Sequence, residues 1–429
     1  MTPEVFERAT LRKVAWKLIP FLCALYTLNI LDRANVGFAR LRMQGDLGMT
    51  DAMFDFGYGL FYIGYLVFEV PSNLMMRKVG ARRWIARIMI SWGVISCLTM
   101  FVYDATSFYL IRILLGVAEA GFFPGIILYL SYWFPERERA KMTAYFMMAI
   151  SFASMLGNPV SGRIMQDLNN SLGLHGWQWL FLLEGIPSIV LGAVVLFQLT
   201  DRPSEAQWLD TKEREWLVQR MQREESERTQ AHGADKLGAM FDSRVWLLIA
   251  IYFTVAVTSN AGGAYFPRIL EKHFPDADTA KLGLLSALPH LCAAIGMVLF
   301  GVSSDRTGKR KEHVAAAALV GAAGWALTAY APTPAVALAG LCIAQVGMMS
   351  MLPTFWALPT AFLSGAAAAG GIALISSVAN IGGFVGPGIY GQRGPWAMVI
   401  TLAAGAGLTL LVRRDRRRDE LPKAMPLEV

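Results

Sequence analysis

The sequence predicts an all-α integral membrane protein of twelve transmembrane helices, arranged as two pseudo-repeated six-helix bundles. Three observations predict it. Hydrophobic residues make up 55% of the 429 and charged ones only 17%, with a mean hydropathy of +0.43; soluble domains sit near about 45–50% apolar and about 25% charged. The apolar residues gather into twelve stretches, each near the roughly 20 residues that cross a bilayer core. Arginine and lysine gather in blocks between those stretches, so the net charge of +7 follows the positive-inside pattern of membrane proteins and not an interleaved nucleic-acid-binding face.

The predicted spans are 15–37, 54–76, 84–103, 105–130, 140–163 and 177–199, then 244–266, 281–303, 313–331, 334–357, 366–389 and 395–412. The first follows Arg8, Arg12, Lys13 and Lys17, but its apolar run is too long for a secretory signal core and lacks a small-residue cleavage site, so it remains a span. Basic residues cluster at the N-terminus, at Arg77–Arg87, at Arg137–Lys141, through 202–244, at Arg306–Lys311 and at Arg413–Arg418. The orientation rule places these segments and both termini on the cytoplasmic side of a bacterial inner membrane. The opposite connections carry fewer positive charges, among them Arg40, Arg42, Arg268 and Lys272.

The one long polar insert divides the chain into an N-terminal bundle, 1–200, a cytoplasmic linker, 201–242, and a C-terminal bundle with a basic tail, 243–429. Trp208, Leu209, Trp216, Leu217 and Met221 stand among charges in the linker, a pattern expected of an amphipathic helix on the membrane surface. The bundles read as copies. Segment Gly301–Arg310 follows the eighth span as Asn73–Arg82 follows the second, Gly308 lies 228 positions after Gly80, and the same offset sets Asn260 against Asp32. Duplicated halves of this kind hold their substrate near the midplane between them.

The candidate chemistry starts in the fourth span, where Leu110–Arg139 encloses Arg112 and Glu119 in apolar sequence. An arginine or aspartate at mid-bilayer costs roughly 2.5–3.5 kcal/mol on insertion scales, so such groups face a bundle interior or a watered cavity. Seven residues are nearly two helical turns, which sets both heads on one face. Glu119 is the proton-carrier candidate, because a carboxyl in a low-dielectric cavity protonates more readily when a neighbouring guanidinium moves onto a substrate carboxylate. The competing reading is a permanent Arg112–Glu119 pair that locks helices together. Arginine suits an anion site because its planar fork binds a carboxylate in bidentate fashion and stays charged.

Asp32 and Arg33 stand side by side in the first span, about 100° apart on a helix, and are expected to find separate partners. The alternative is that they mark the outer water boundary and end the helix. Tyr65, Trp356, Ser376 and Asn380 could contact a small polar ligand, or serve as packing and interhelical glue. Glu69 and Glu184 read as gate or scaffold, His290 as a satisfied structural histidine, and Cys23, Cys97, Cys292 and Cys342 as inert packing. No GxSxG, HExxH or Walker motif is present in the sequence, so no enzyme is expected.

These motifs carry a resemblance. GVSSDRTGKR resembles the cytoplasmic loop signature of the major facilitator superfamily, and LDRANVGFA, YIGYLVFEVPSNL, RILLGVAEAGFFPG and YWFPERERA resemble its anion:cation symporter branch. The resemblance covers nearly the whole chain. It implies the major facilitator fold, alternating access, and proton-driven uptake of organic anions such as sugar acids, tartrate or aromatic carboxylates. It implies that Asp32 and Glu119 couple protons, that Arg33, Arg112, Tyr65 and Trp356 line the anion pocket, and that Asp305 and Arg306 form a cytoplasmic gate.

Three departures stand out: Arg77 occupies the acidic place of the first loop signature, Ser376 stands where many relatives have an amide, and the segment between Gly391 and Trp396 is short. The expectation is therefore a monomeric importer of a small carboxylate, working in the lipid bilayer with protons as coupling ion, no cofactor or metal, and no nucleic-acid partner. A drug/proton antiporter is the alternative. Gly157, Pro159 and Gly162 supply only part of the antiporter signature of the fifth span, and two arginines disfavour cationic drugs.

Overall fold

The computed structural model describes residues 2–147, 149–231, 243–356, 358–359 and 365–412, and every regular element among them is a helix. Ahead of the linker run α1 (Pro3–Asp46), α2 (Asp51–Val79), α3 (Ala81–Leu98), α4 (Ala105–Glu119), α5 (Phe122–Trp133), α6 (Glu136–Met147), α7 (Ala149–Asp167) and α8 (Gly176–Gln198). The linker carries α9 (Thr211–Ala231). After it come α10 (Ser243–His273), α11 (Thr279–Thr307), α12 (Arg310–Ala329), α13 (Pro334–Trp356), α14 (Gly365–Ala379), α15 (Ile381–Arg393) and α16 (Pro395–Leu410). Each of the twelve predicted spans falls on one of these helices or on a consecutive pair. Among the described residues, seven stretches are apolar and long enough on their own to cross a membrane; the others carry more polar residues or are shortened by a break.

Helix beginnings are set by polar caps on the side that the basic-loop pattern assigns outward, hereafter the outer end. Thr50 accepts from the Met53 amide at 3.3 Å, Asp104 from Ser107 at 2.7 Å, and Asp278 from Lys281 at 2.7 Å. Such caps supply partners to amides that a helix start leaves unpaired, at about 1 kcal/mol each. The repeat is visible in the backbone. Gly80 ends α2 and Gly308 ends α11, both at positive φ, +96° and +67°, so the 228-residue offset sets one glycine helix stop against another, with different ψ at the two.

Three expectations need correction. The fourth span is not one helix: α4 stops at Glu119 and α5 starts at Phe122, with Gly121 left-handed at φ +86°. A Cβ on Gly121 would lie 2.4 Å from Ser72 Oγ, so the turn accepts only glycine, and Pro124 sits in the first turn of α5, where its missing amide costs nothing. The first span begins twelve residues early and extends nine further, because helical hydrogen bonding continues past the point where hydropathy falls; Leu11, Val14, Arg40 and Met43 are all buried. The linker's apolar face packs on protein: Trp216 meets Phe6 edge-on at 6.2 Å, Trp208 stacks on Trp133 at 5.5 Å, and Leu217 is buried. Lys13 of α1 clamps the start of α9 through Glu213 at 2.7 Å. The remainder of the insert, 232–242, and the basic tail, 413–429, lie outside the described residues.

The two bundles meet closely at the outer end. A Cβ on Gly37 of α1 would lie 2.3 Å from the Gly263 carbonyl of α10, so the two helices touch backbone to backbone there. Around this contact Arg42 pairs with Glu271 at 2.8 Å, Arg268 pairs with Asp51, and Thr279 donates to Gln166 at 2.8 Å. Towards the other end, Ser377 donates to Glu69 across the halves at 3.0 Å.

Candidate functional site

The break after Glu119 decides what the buried charges can reach. α4 presents Arg112 and Glu119 towards α1 and α2, and both are buried, at 4% and 0% exposure. Glu119 does not pair with Arg112. Its Oε1 receives both Nε and Nη2 of Arg33 from α1, so the pair that forms joins α1 to α4 and the competing reading of an Arg112–Glu119 lock does not hold. The reason is positional. Seven residues set the two heads about 10 Å apart along α4 at 1.5 Å per residue, whereas Arg33 of α1 packs directly against Glu119.

Arg112 is held differently. Its Nη2 donates to the Tyr58 carbonyl at 3.3 Å, its guanidinium lies 4.9 Å from the centre of the Phe61 ring and 5.4 Å from that of Tyr58, and its Nε has no hydrogen-bond partner among the described residues. Arg33 also faces Phe61, at 5.2 Å, and Tyr65 at 5.1 Å. The two distances to the Phe61 centroid, 5.2 and 4.9 Å, limit the separation of the two guanidinium carbons to their sum, 10.1 Å. Among the four predicted charges, Arg33 has the only partly open side chain, at 30% exposure. The arrangement is one half-buried and one buried guanidinium, an aromatic wall, and a carboxylate already bound to the half-buried one. An incoming carboxylate can take the Arg33 fork only in competition with Glu119.

Asp32 points away from this pair, as the 100° spacing predicts. Its Oδ1 accepts from Ser96 Oγ and, at 3.4 Å, from Asn35 Nδ2, while Oδ2 is unpartnered among the described residues. At 2% exposure it is buried in the helix interior, which excludes the reading that it marks the water boundary. Arg33 and Asp32 therefore have separate partners.

The second bundle contributes neutral groups. Tyr62 of α2 donates to Asn260 of α10, the residue that the repeat sets opposite Asp32. Trp356, at the end of α13, packs at 4.9 Å on Tyr252 and at 5.3 Å on Phe355. Ser376 and Asn380 make no side-chain hydrogen bond among the described residues; the neighbouring Ser377 makes the Glu69 contact instead. Asn380 lies at the junction of α14 and α15. Arg77 and Arg306 are exposed near the helix ends, and the Asp305 side chain lies outside the described ones.

A cluster at the outer end was missed by sequence reasoning. Arg40, treated there as a loop charge, lies inside α1 with its side chain 1% exposed. It binds Asp55 at 2.8 Å, Gln44 at 3.0 Å and the Tyr265 hydroxyl at 3.2 Å, and Tyr265 donates to Asp55 at 2.6 Å. Beside it lies a cavity of about 200 Å³ lined by residues including Gln44, Gly45, Arg268 and Glu271. The available signal was the four-residue connection 47–50, too short to keep Arg40 and Asp55 apart on the two helices that it joins. Next to the cluster, the Arg268 guanidinium pulls the Asp51 carboxyl down to about 2 from its ordinary 3.8.

Comparison with known proteins adds the following. The model of the Major Facilitator Superfamily matches residues 22–387. A protein of Agrobacterium vitis named as a tartrate transporter is 48% identical over 386 residues, covering 90% of this chain and 85% of its own. The quinolone resistance transporter of Acinetobacter baumannii is 40% identical over 382 residues, 89% of this chain and 88% of its own. Among solved structures, the xylose transporter XylE from E. coli in an inward open conformation superposes with a TM-score of 0.72 over 95% of this chain and 97% of its own, at 15% identity.

Proposed function

The chain belongs to the Major Facilitator Superfamily, and from that membership and the buried charges of α1 and α4 we propose that it imports a small organic anion, a tartrate-like hydroxy acid, sugar acid or aromatic carboxylate, coupled to protons by alternating access. The observation that carries this reading is the incompletely bonded Arg112 guanidinium buried beside the Arg33–Glu119 pair. A buried cation with an unmade hydrogen bond is costly, and a carboxylate ligand relieves that cost. An anion that draws Arg33 from Glu119 leaves the acid with no countercharge, which favours its protonation. Substrate and proton then bind cooperatively, and both leave when the site opens to the more alkaline side.

The distribution of contacts between the halves supports an access state closed at the outer end, with Arg33 reached from the other. In this reading both termini are cytoplasmic, the N-terminal bundle (1–200) carries the charges, and the C-terminal bundle (243–429) supplies Asn260, Trp356, Ser376 and Asn380 as neutral contacts. Asp305, Arg306 and Arg77 belong to the cytoplasmic face. Protons are the only coupling ion, and no other cofactor is required.

The test is uptake of radiolabelled tartrate by proteoliposomes. Accumulation above equilibrium under an inward proton gradient, collapsed by a protonophore, is the expected result; no uptake of any carboxylate in a panel of sugar acids, hydroxy acids and benzoates would refute it. A drug/proton antiporter is the second reading, favoured by the 40% identity to a quinolone resistance transporter. Proton-driven quinolone movement opposite in direction to the proton, with carboxylate uptake absent, would select it.

The outer closure gives a further expectation. Asp51 stays ionised until pH falls towards 2, so its contribution is present above the ordinary carboxylate range of about 4 and is lost only as pH falls through its lowered value. The labelling rate of a cysteine introduced at Gly45, in the outer cavity of an otherwise cysteine-free protein, divided by that of a free thiol at the same pH because only the thiolate reacts, is expected to remain flat between pH 8 and 5. Arg268→Ala is expected to raise it several-fold. The Asp51 side chain is 48% exposed, so the effect on overall stability is small.

A further inference from the structure

The buried ion pair at the outer end lies within one bundle. Arg40 of α1 and Asp55 of α2 both belong to the N-terminal bundle and bind each other at 2.8 Å, with side chains 1% and 4% exposed. The ion pairs that cross between the bundles there, Arg42 with Glu271 and Arg268 with Asp51, are half-exposed instead. Separating a buried ion pair is costly, whereas separating an exposed one costs little. The bundles can therefore part at this end without isolating a buried charge.

One neutral side chain of the C-terminal bundle enters this pair. The buried Tyr265 of α10 donates its hydroxyl to Asp55 at 2.6 Å and accepts from Arg40 at 3.2 Å. Its ring centre lies 4.2 Å from the Arg40 guanidinium carbon and 4.2 Å from the ring centre of Tyr390 on α15. Gly391, one residue further along α15, leaves the room: a Cβ there would lie 2.6 Å from the Tyr265 hydroxyl and closer still to Asp55 Oδ2. The second bundle thus supplies a tyrosine plug and the first a charged socket.

We propose that Tyr265 is the latch of the outer closure: withdrawal of its hydroxyl from the Arg40–Asp55 socket opens this end, and the socket stays paired as it does so. This rests on the alternating-access reading above. On opening, the hydroxyl and the two charged groups turn to water, and no buried ion loses its countercharge. The deeper bond across the bundles, Tyr62 to Asn260, is also made by a tyrosine hydroxyl. On α2 it stands seven residues beyond Asp55, about 10 Å further in at 1.5 Å per residue. Between the two lies Tyr58, whose carbonyl holds Arg112. Tyr265 is thus a positioning residue on the outer side of Arg112, and its state sets whether that guanidinium is reached from outside.

The test is the distance between spin labels at Tyr103 and Tyr330, exposed positions at the outer ends of the two bundles, in an otherwise cysteine-free protein reconstituted in lipid. Pulsed electron paramagnetic resonance separates a short, closed population from a long, open one. Tyr265→Phe is expected to raise the ratio of long to short about thirtyfold, the scale of one hydrogen bond to a charged group. Arg268→Ala, which removes an exposed pair, is expected to raise it by no more than about fivefold. If Tyr265→Phe is not recovered as a monodisperse protein, Gly391→Ala takes its place: it keeps the hydroxyl but fills its space, and the ratio moves the same way. Two populations whose ratio in the recovered variant stays within twofold of wild type would overturn the latch alone. A single unchanging distance in wild type and every variant, with and without saturating tartrate at pH 5 and at pH 8, would overturn alternating access itself.

Discussion

Arg112→Lys is expected to lower tartrate uptake at subsaturating concentration about a hundredfold, the largest single effect in the pocket. The guanidinium is buried, has the Tyr58 carbonyl as its one hydrogen-bond partner among the described residues, and lies 5.4 and 4.9 Å from the Tyr58 and Phe61 ring centres. A lysine keeps the charge but loses both the planar face that packs on these rings and the fork that binds a carboxylate. Charge-assisted hydrogen bonds contribute about 1.5–3 kcal/mol each, and loss of one bidentate partner at that scale corresponds to about two decades in affinity. Initial rates of labelled tartrate uptake, with thermal unfolding of the purified variant as a control for folding, measure it. An apparent affinity within twofold of wild type would remove Arg112 from the anion site.

The second large effect is Glu119→Gln, expected to abolish accumulation driven by a proton gradient while tartrate counterflow across the same vesicles persists. The neutral amide mimics the protonated acid. It no longer holds Arg33 as an ion, so the anion binds without first competing for that guanidinium. Removing one member of a buried ion pair ordinarily costs about 3–5 kcal/mol, but Arg33 keeps 30% exposure and can turn its charge to water, which reduces the loss. Equal loss of counterflow and accumulation in a folded variant would show that Glu119 serves structure or binding and not coupling.

Hydropathy and charge placement made the twelve spans legible, because the bilayer dictates both the length and the polarity of each element. The repeat was legible from two loops, and Gly80 and Gly308 realise it as matched helix stops. Asp32, Arg33, Arg112 and Glu119 stood out in the sequence because they are costly residues at membrane depth, and the fold buries three of them and half-buries Arg33. Their pairing was not legible. Arg112 and Glu119 share a helix, and spacing alone favoured their association; the left-handed Gly121 ends that helix and hands Glu119 to Arg33. Arg40 was misplaced for a related reason. Its neighbours Asp55 and Tyr265 lie on other helices, and only their packing makes a charge near a span end into a buried one. Ser377, and not Ser376, meets Glu69 because helical phase within an alanine- and glycine-rich span cannot be read from hydropathy.

Where α1 and α10 touch at Gly37 and Gly263, no side chain lies between the two main chains. Soft side chains can yield to a slightly oversized passenger, but a peptide group pressed against a peptide group cannot. The contact on that side thus has a rigid stop with one resting position.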